Sequence, residues 1–143
     1  MFVFFGLVAT AGTTYVQVGD VNFESWISGV AIGFIACAVL MVNNIRDIEP
    51  DTLAGKRTLA VRLGQRASRI VFVVFLVIPY VILGYFLLLY TFGGYVYFTL
   101  LIAVPAMLIV LTAKTAKELI LALQLTSLTA LLFGLGLAAA IAF

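Results

Sequence analysis

The stretch NNIRDIEPDTLAGKRT, Asn43 to Thr58, interrupts an otherwise oily chain. It holds three of the six carboxylates (Asp47, Glu49, Asp51) and three of the eight Lys and Arg residues (Arg46, Lys56, Arg57). Apolar runs of bilayer length lie on both sides of it, so it reads as a charged connection between membrane spans. The composition agrees. The 143 residues are 65% hydrophobic and 10% charged, with a mean hydropathy of +1.27. A soluble domain of this length needs far more polar surface.

Working outward, the sequence predicts five spans in a single transmembrane domain over 1–143, at about 2–18, 25–42, 70–90, 95–112 and 119–143. Each is near the ~20 residues that a helix needs to cross ~30 Å of hydrocarbon. Helices are forced because backbone groups in lipid have no water partner. The expected fold class is therefore all-α, a polytopic transmembrane helix bundle in a lipid bilayer. Pro79 and Pro105 fall inside spans and are expected to kink them, and Gly93-Gly94 is expected to close the third. Gly29 with Gly33, and Gly134 with Ala138, place small residues at helical spacing for close helix packing.

Charge fixes an expected orientation. All eight basic residues lie in 43–69 or 113–118, while the opposite side holds Asp20 and Glu24 and no basic residue. The positive-inside rule then puts the motif loop 43–69 on the cytoplasmic face; the expected location is a bacterial or archaeal cell membrane. The chain has no histidine, which removes His-based metal sites, general bases and triads. The single Cys37 excludes an internal disulfide and reads as a packing thiol. No nucleic-acid partner is expected. Met1 is followed at once by FVFFGLVATAG, with no basic leader region. A start inside a span is what the C-terminal part of a longer protein would show.

The spacing within the charged stretch suggests chemistry. Asp47 and Asp51 are four residues apart, Asn43 lies four before Asp47 and Asn44 three before it. On a continuing helix these share one face. Carboxylates so close repel unless cations intervene, and an all-oxygen cluster suits Mg²⁺. Lys56 and Arg57 follow Gly55, and cations beside a metal are what a pyrophosphate requires. The plainer reading is a solvated loop whose cations anchor at the interface. It leaves the three carboxylates unexplained, since acidic residues contribute little to orientation. Pro50 weakens the shared face, because it lacks an N–H and disfavours helical geometry at Glu49. Thr58 is expected to cap a following helix. Glu49 is expected to be solvated, and Tyr15, Tyr80 and Tyr85 to serve packing or the interface.

The same residues carry a resemblance. Asn43, Asn44, Arg46, Asp47 and Asp51, followed by GKRTLAVRLG from Gly55 to Gly64, resemble the second aspartate motif of the UbiA-type membrane prenyltransferases. The branch most similar prenylates 1,4-dihydroxy-2-naphthoate on the way to menaquinone. FVFFGLVATAGTTYVQ is similar to the span before that motif. The resemblance covers the whole chain but only the C-terminal half of such an enzyme. It implies a nine-helix bundle with two facing aspartate motifs that hold Mg²⁺ and the diphosphate of a polyprenyl donor. Diphosphate leaves, and an aromatic acceptor attacks the allylic cation. Asp47 and Asp51 would then be the metal and catalytic residues. Asn43, Asn44, Arg46, Lys56 and Arg57 would bind the diphosphate.

One departure is plain: the first motif, N-D-x-x-D-x-x-x-D, is nowhere in these residues. The chain alone is therefore expected to be inactive without a missing N-terminal half. Two other readings remain. One is a related prenyltransferase with a phenolic quinone precursor or a lipid as acceptor. The other is a non-enzymatic membrane protein, such as a transporter fragment. Transporters place charges near the bilayer midplane, whereas the ionisable residues here gather at span ends.

Overall fold

The computed structural model describes residues 1–142, and among them all regular secondary structure is helical. The helices are α1 (Phe2–Val18), α2 (Phe23–Arg46), α3 (Ile48–Leu53), α4 (Leu59–Leu89), α5 (Thr91–Thr112) and α6 (Ala116–Ala142). Four of them, α2, α4, α5 and α6, are long and apolar enough to cross a membrane, and α1 is a shorter apolar helix. Phe143, the end of the expected fifth span, lies outside the described residues.

Helix α2 is the hub of the bundle. It packs against α1, α4 and α6, and α5 closes the arrangement by packing on α4 and α6. Buried Ile35 and Val42 of α2 share one core with Phe72, Leu76 and Leu83 of α4 and Phe133 of α6. Aromatic pairs stitch the layers. The Phe34 ring lies 5.1 Å from that of Phe2 and 5.7 Å from that of Phe75, joining α1, α2 and α4. Buried Tyr80 meets Phe133 edge-on at 5.5 Å. Its hydroxyl lies 2.9 Å from Thr99 Oγ1. Thr99 spends its one hydrogen on the Val96 carbonyl, at 2.7 Å, so Tyr80 is the donor. Tyr80 is thus a packing residue, and Tyr15 and Tyr85 are exposed.

Gly93-Gly94 does not form the turn between α4 and α5. The chain turns at Tyr90, in extended geometry, and Thr91–Thr99 winds as a 3₁₀-helix. The reason lies in the spacing of its aromatics. Phe92, Tyr95 and Phe98 recur every third residue, and a 3₁₀-helix eclipses positions i and i+3. Their rings stack in series, with centroids 6.1 and 6.3 Å apart.

The expected connection 43–69 holds α3 and the first part of α4. Helix α4 is broken at Gly64, where φ is 77° and ψ is 167°. Only glycine occupies that region without strain. Buried Ser68 donates to the Gly64 carbonyl at 2.8 Å, four residues before it at the break. A Cβ on Gly64 would meet no atom within 4 Å, so the constraint is backbone strain rather than space. Gly64→Ala is expected to cost about 1–3 kcal/mol, read as a lower unfolding midpoint in detergent. An unchanged midpoint would show that the break is absent.

Arg69 explains why the two basic connections lie at one end. Its guanidinium donates to the Leu111 carbonyl at 2.9 Å and to the Ala113 carbonyl, satisfying groups left open at the end of α5. Next to it, Thr115 and Glu118 cap the start of α6 reciprocally. The Glu118 N–H donates to Thr115 Oγ1 at 3.4 Å, and the Thr115 hydroxyl donates to Glu118 Oε1 at 2.9 Å.

Candidate functional site

Helix α2 ends at Arg46, and Asp47 is a joint between α2 and α3, with φ −98° and ψ 13°. The helical hydrogen-bond ladder crosses the joint. The Asp47 N–H donates to the Asn43 carbonyl at 3.1 Å, and the Asp51 N–H donates to the Asp47 carbonyl at 2.9 Å. Pro50 therefore does not prevent the helical turn between the aspartates. It lies in the first turn of α3, where an N–H has no intrahelical partner to lose.

Each aspartate has its own cation. Arg46 Nε donates to Asp47 Oδ1 and Nη2 to Oδ2, both at 2.7 Å. This two-pronged geometry is the strongest form of an ion pair. The Arg46 hydrogen bonds hold the Asp47 carboxyl below the usual carboxylate range, against partial desolvation that pushes it up. Asp51 is only 8% exposed, and Lys56 Nζ lies 3.2 Å from its Oδ1.

The turn after α3 produces that second contact. Gly55 has φ 69°. Its N–H donates to the Thr52 carbonyl at 3.1 Å, and the Lys56 N–H donates to the Asp51 carbonyl at 2.9 Å. This pair of bonds is a Schellman motif, which folds the chain back over the end of its own helix. Lys56 is thereby returned to the aspartate five residues before it, and its side chain stays 66% exposed.

The other predicted residues lie around this pair. Asn43 and Asn44 are half-buried in the last turn of α2. Arg57 and Glu49 are exposed. Thr58 caps α4, accepting from the Val61 N–H at 3.4 Å. Sequence reasoning treated Arg46 and Lys56 as contacts for a ligand and missed that each binds an aspartate. The adjacency of Arg46 to Asp47 and the Leu-Ala-Gly-Lys helix ending were the available signals.

The donor set is oxygen only, which fits a hard divalent cation. Among the described residues no three His, Cys, Asp or Glu side chains cluster to hold a metal. Two carboxylates leave most of an octahedral shell to water and ligand oxygens, the usual arrangement for Mg²⁺ on a phosphate.

Residues 1–118 match the UbiA prenyltransferase family. The chain belongs to that family. It is similar to the 1,4-dihydroxy-2-naphthoate octaprenyltransferase of Mycobacterium tuberculosis, at 36% identity over all of this chain and 49% of that protein. The enzyme of the same name from Haemophilus influenzae is 47% identical over 48% of this chain and 22% of its own length. UbiA prenyltransferase domain-containing protein 1 of Gallus gallus is 36% identical over 54% of this chain and 23% of its own length. No solved structure matches. This member of the UbiA family spans about half the length of the Mycobacterium tuberculosis relative. With four apolar helices of bilayer length, it is an integral, multi-pass membrane protein.

Proposed function

We propose that this chain carries the diphosphate-holding part of a prenyltransferase that moves a polyprenyl group from polyprenyl diphosphate to 1,4-dihydroxy-2-naphthoate, in menaquinone biosynthesis. The acceptor follows the printed names of the Mycobacterium tuberculosis and Haemophilus influenzae relatives. The observation that carries the reading is the pair of aspartates one helical turn apart, each already matched to a cation.

Asp47 and Asp51 would hold Mg²⁺, with the amide oxygens of Asn43 and Asn44 orienting its waters. The ion supplies neutralisation of charge on the departing diphosphate. Lys56 and Arg57, both exposed, reach the diphosphate oxygens directly. Arg46 keeps Asp47 ionised and aimed. The apolar helices keep water from the allylic cation. Arg69 supports a cytoplasmic site, because it ties the second basic connection to the same end of the bundle as the motif loop. A two-motif site adds the aspartates of the first motif to these two carboxylates, so on this reading a longer assembly supplies the remaining ligands.

Titration of farnesyl diphosphate into the 143-residue chain in detergent, with and without Mg²⁺, tests the reading. Chelation is expected to weaken binding at least about tenfold, the ~1.4 kcal/mol scale of one charged contact. Equal binding without metal, or none with it, overturns the assignment. Prenylated naphthoate formed by this chain alone overturns the need for a longer assembly.

A further inference from the structure

We infer that a pocket at the end of the bundle opposite Asp47 and Asp51 binds the primary-ammonium headgroup of a membrane phospholipid. The pocket, of about 290 Å³, lies where α1, α2 and α6 meet. Its lining is apolar in part, from Ile32, Leu137 and Ile141, and polar in part, from Thr14, Glu24 and Ser25. An occupant that suits both has a polar head on an apolar body.

Ser28 points to a ligand. It lines the pocket, is 5% exposed, and its hydroxyl has no hydrogen-bond partner among the described residues. A buried hydroxyl left unpaired is costly, so an occupant of the adjoining pocket that reaches it is favoured.

The other polar groups say which kind. The Thr14 hydroxyl gives its hydrogen to the Thr10 carbonyl at 3.0 Å. The Ser25 hydroxyl gives its hydrogen to Asn22 Oδ1. A hydroxyl has one hydrogen and two lone pairs, so both groups offer the pocket only acceptor capacity. Glu24 adds a carboxylate with no ion pair among the described residues. All eight basic residues lie at 43–69 and 113–118, at the other end. Thr10 and Asn22 also line the pocket, with a hydroxyl and an amide that can donate, so charge sets the balance: Glu24 is the ionised side chain of this lining, and the lining is negative. It favours a cation with several N–H donors, and a primary ammonium has three. Choline carries the same charge with no N–H, and anionic headgroups meet Glu24 unfavourably. The apolar wall favours the lipid over free ethanolamine. This site does not depend on the prenyl-transfer reading.

The test is native mass spectrometry of the 143-residue chain released from vesicles of equal phosphatidylethanolamine, phosphatidylcholine and phosphatidylglycerol. Phosphatidylethanolamine is expected to be retained about tenfold over phosphatidylcholine, and Ser28→Ala and Glu24→Gln each to remove that preference. Trp26, half-exposed at the same helix start, provides a second readout. Its fluorescence should shift on adding phosphatidylethanolamine to the wild type and to a folded Glu49→Gln control, and not to either pocket variant. Equal retention of all three lipids, preference for phosphatidylglycerol, or a preference that survives both substitutions overturns the inference. Retention of free ethanolamine in place of the lipid overturns it too.

Discussion

Asp51→Asn is expected to reduce prenyl transfer on the order of 10²- to 10³-fold, the usual loss when a preorganised group facing developing charge is removed. The substitution keeps the shape of a side chain that is 12% exposed and removes its charge. Lys56 would lose its partner but is already 66% exposed, so water takes over and the fold survives. The loss is then one of metal and diphosphate binding. Asp47→Asn should act in the same direction with an added structural cost, because Arg46 would keep one acceptor of two, now a neutral amide oxygen, and would face an NH2 in place of the other. Glu49→Gln, on the exposed side of α3, should stay within about twofold. The measurement is turnover by a chimera in which residues 1–143 replace the matching 49% of the Mycobacterium tuberculosis relative. The same ranking should appear in Mg²⁺-dependent binding of farnesyl diphosphate by this chain alone, which keeps the test valid if the chimera does not assemble. An Asp51→Asn protein with more than about a tenth of the activity would mean that this carboxylate is not among the metal's holders.

Much of this arrangement is readable from the sequence, and what is not has physical reasons. Hydropathy finds the apolar helices because the bilayer allows little else. The break at Gly64 escapes it, since a break in a polar stretch leaves hydropathy unchanged; its marks are one positive φ and one buried serine. The 3₁₀ winding of Thr91–Thr99 also escapes it, although the three-residue recurrence of Phe92, Tyr95 and Phe98 is plain once sought. At the site, spacing brings Asp47 and Asp51 to one turn, but pairing depends on side-chain direction and on a left-handed Gly55. That is why Arg46 and Lys56 read as free cations in the sequence and as partners of the aspartates in the structure. Gly134 is the opposite case. It has the spacing of a packing residue, yet a Cβ there would meet nothing within 4 Å, and it borders the pocket between α1, α2 and α6 instead.

Gly6 is where a single methyl group should do the most structural damage. The sequence pairs Gly29 with Gly33 on α2, and the structure supplies their partner on α1. A Cβ on Gly6 would sit 2.5 Å from the Gly29 carbonyl oxygen and 2.6 Å from Gly33 Cα. Both are backbone atoms of another helix, so no side chain can swing away to make room. Relief requires α1 to move off α2, which also separates Phe2 from Phe34, now 5.1 Å apart. Without a hydrophobic force between helices in lipid, such close backbone contact is what holds α1 in place. Gly6→Ala is expected to cost about 1–3 kcal/mol, toward the upper end because the clash is with backbone. Gly12→Ala, on the same helix with nothing within 4 Å of the new Cβ, should be neutral or stabilising by up to about 1 kcal/mol from helix propensity. A cysteine cross-link between α1 and α2, scored with each substitution, reads the separation directly. Gly6→Ala should reduce its yield while Gly12→Ala leaves it unchanged. Equal yields would mean that α1 does not seat against Gly29 and Gly33 in the membrane.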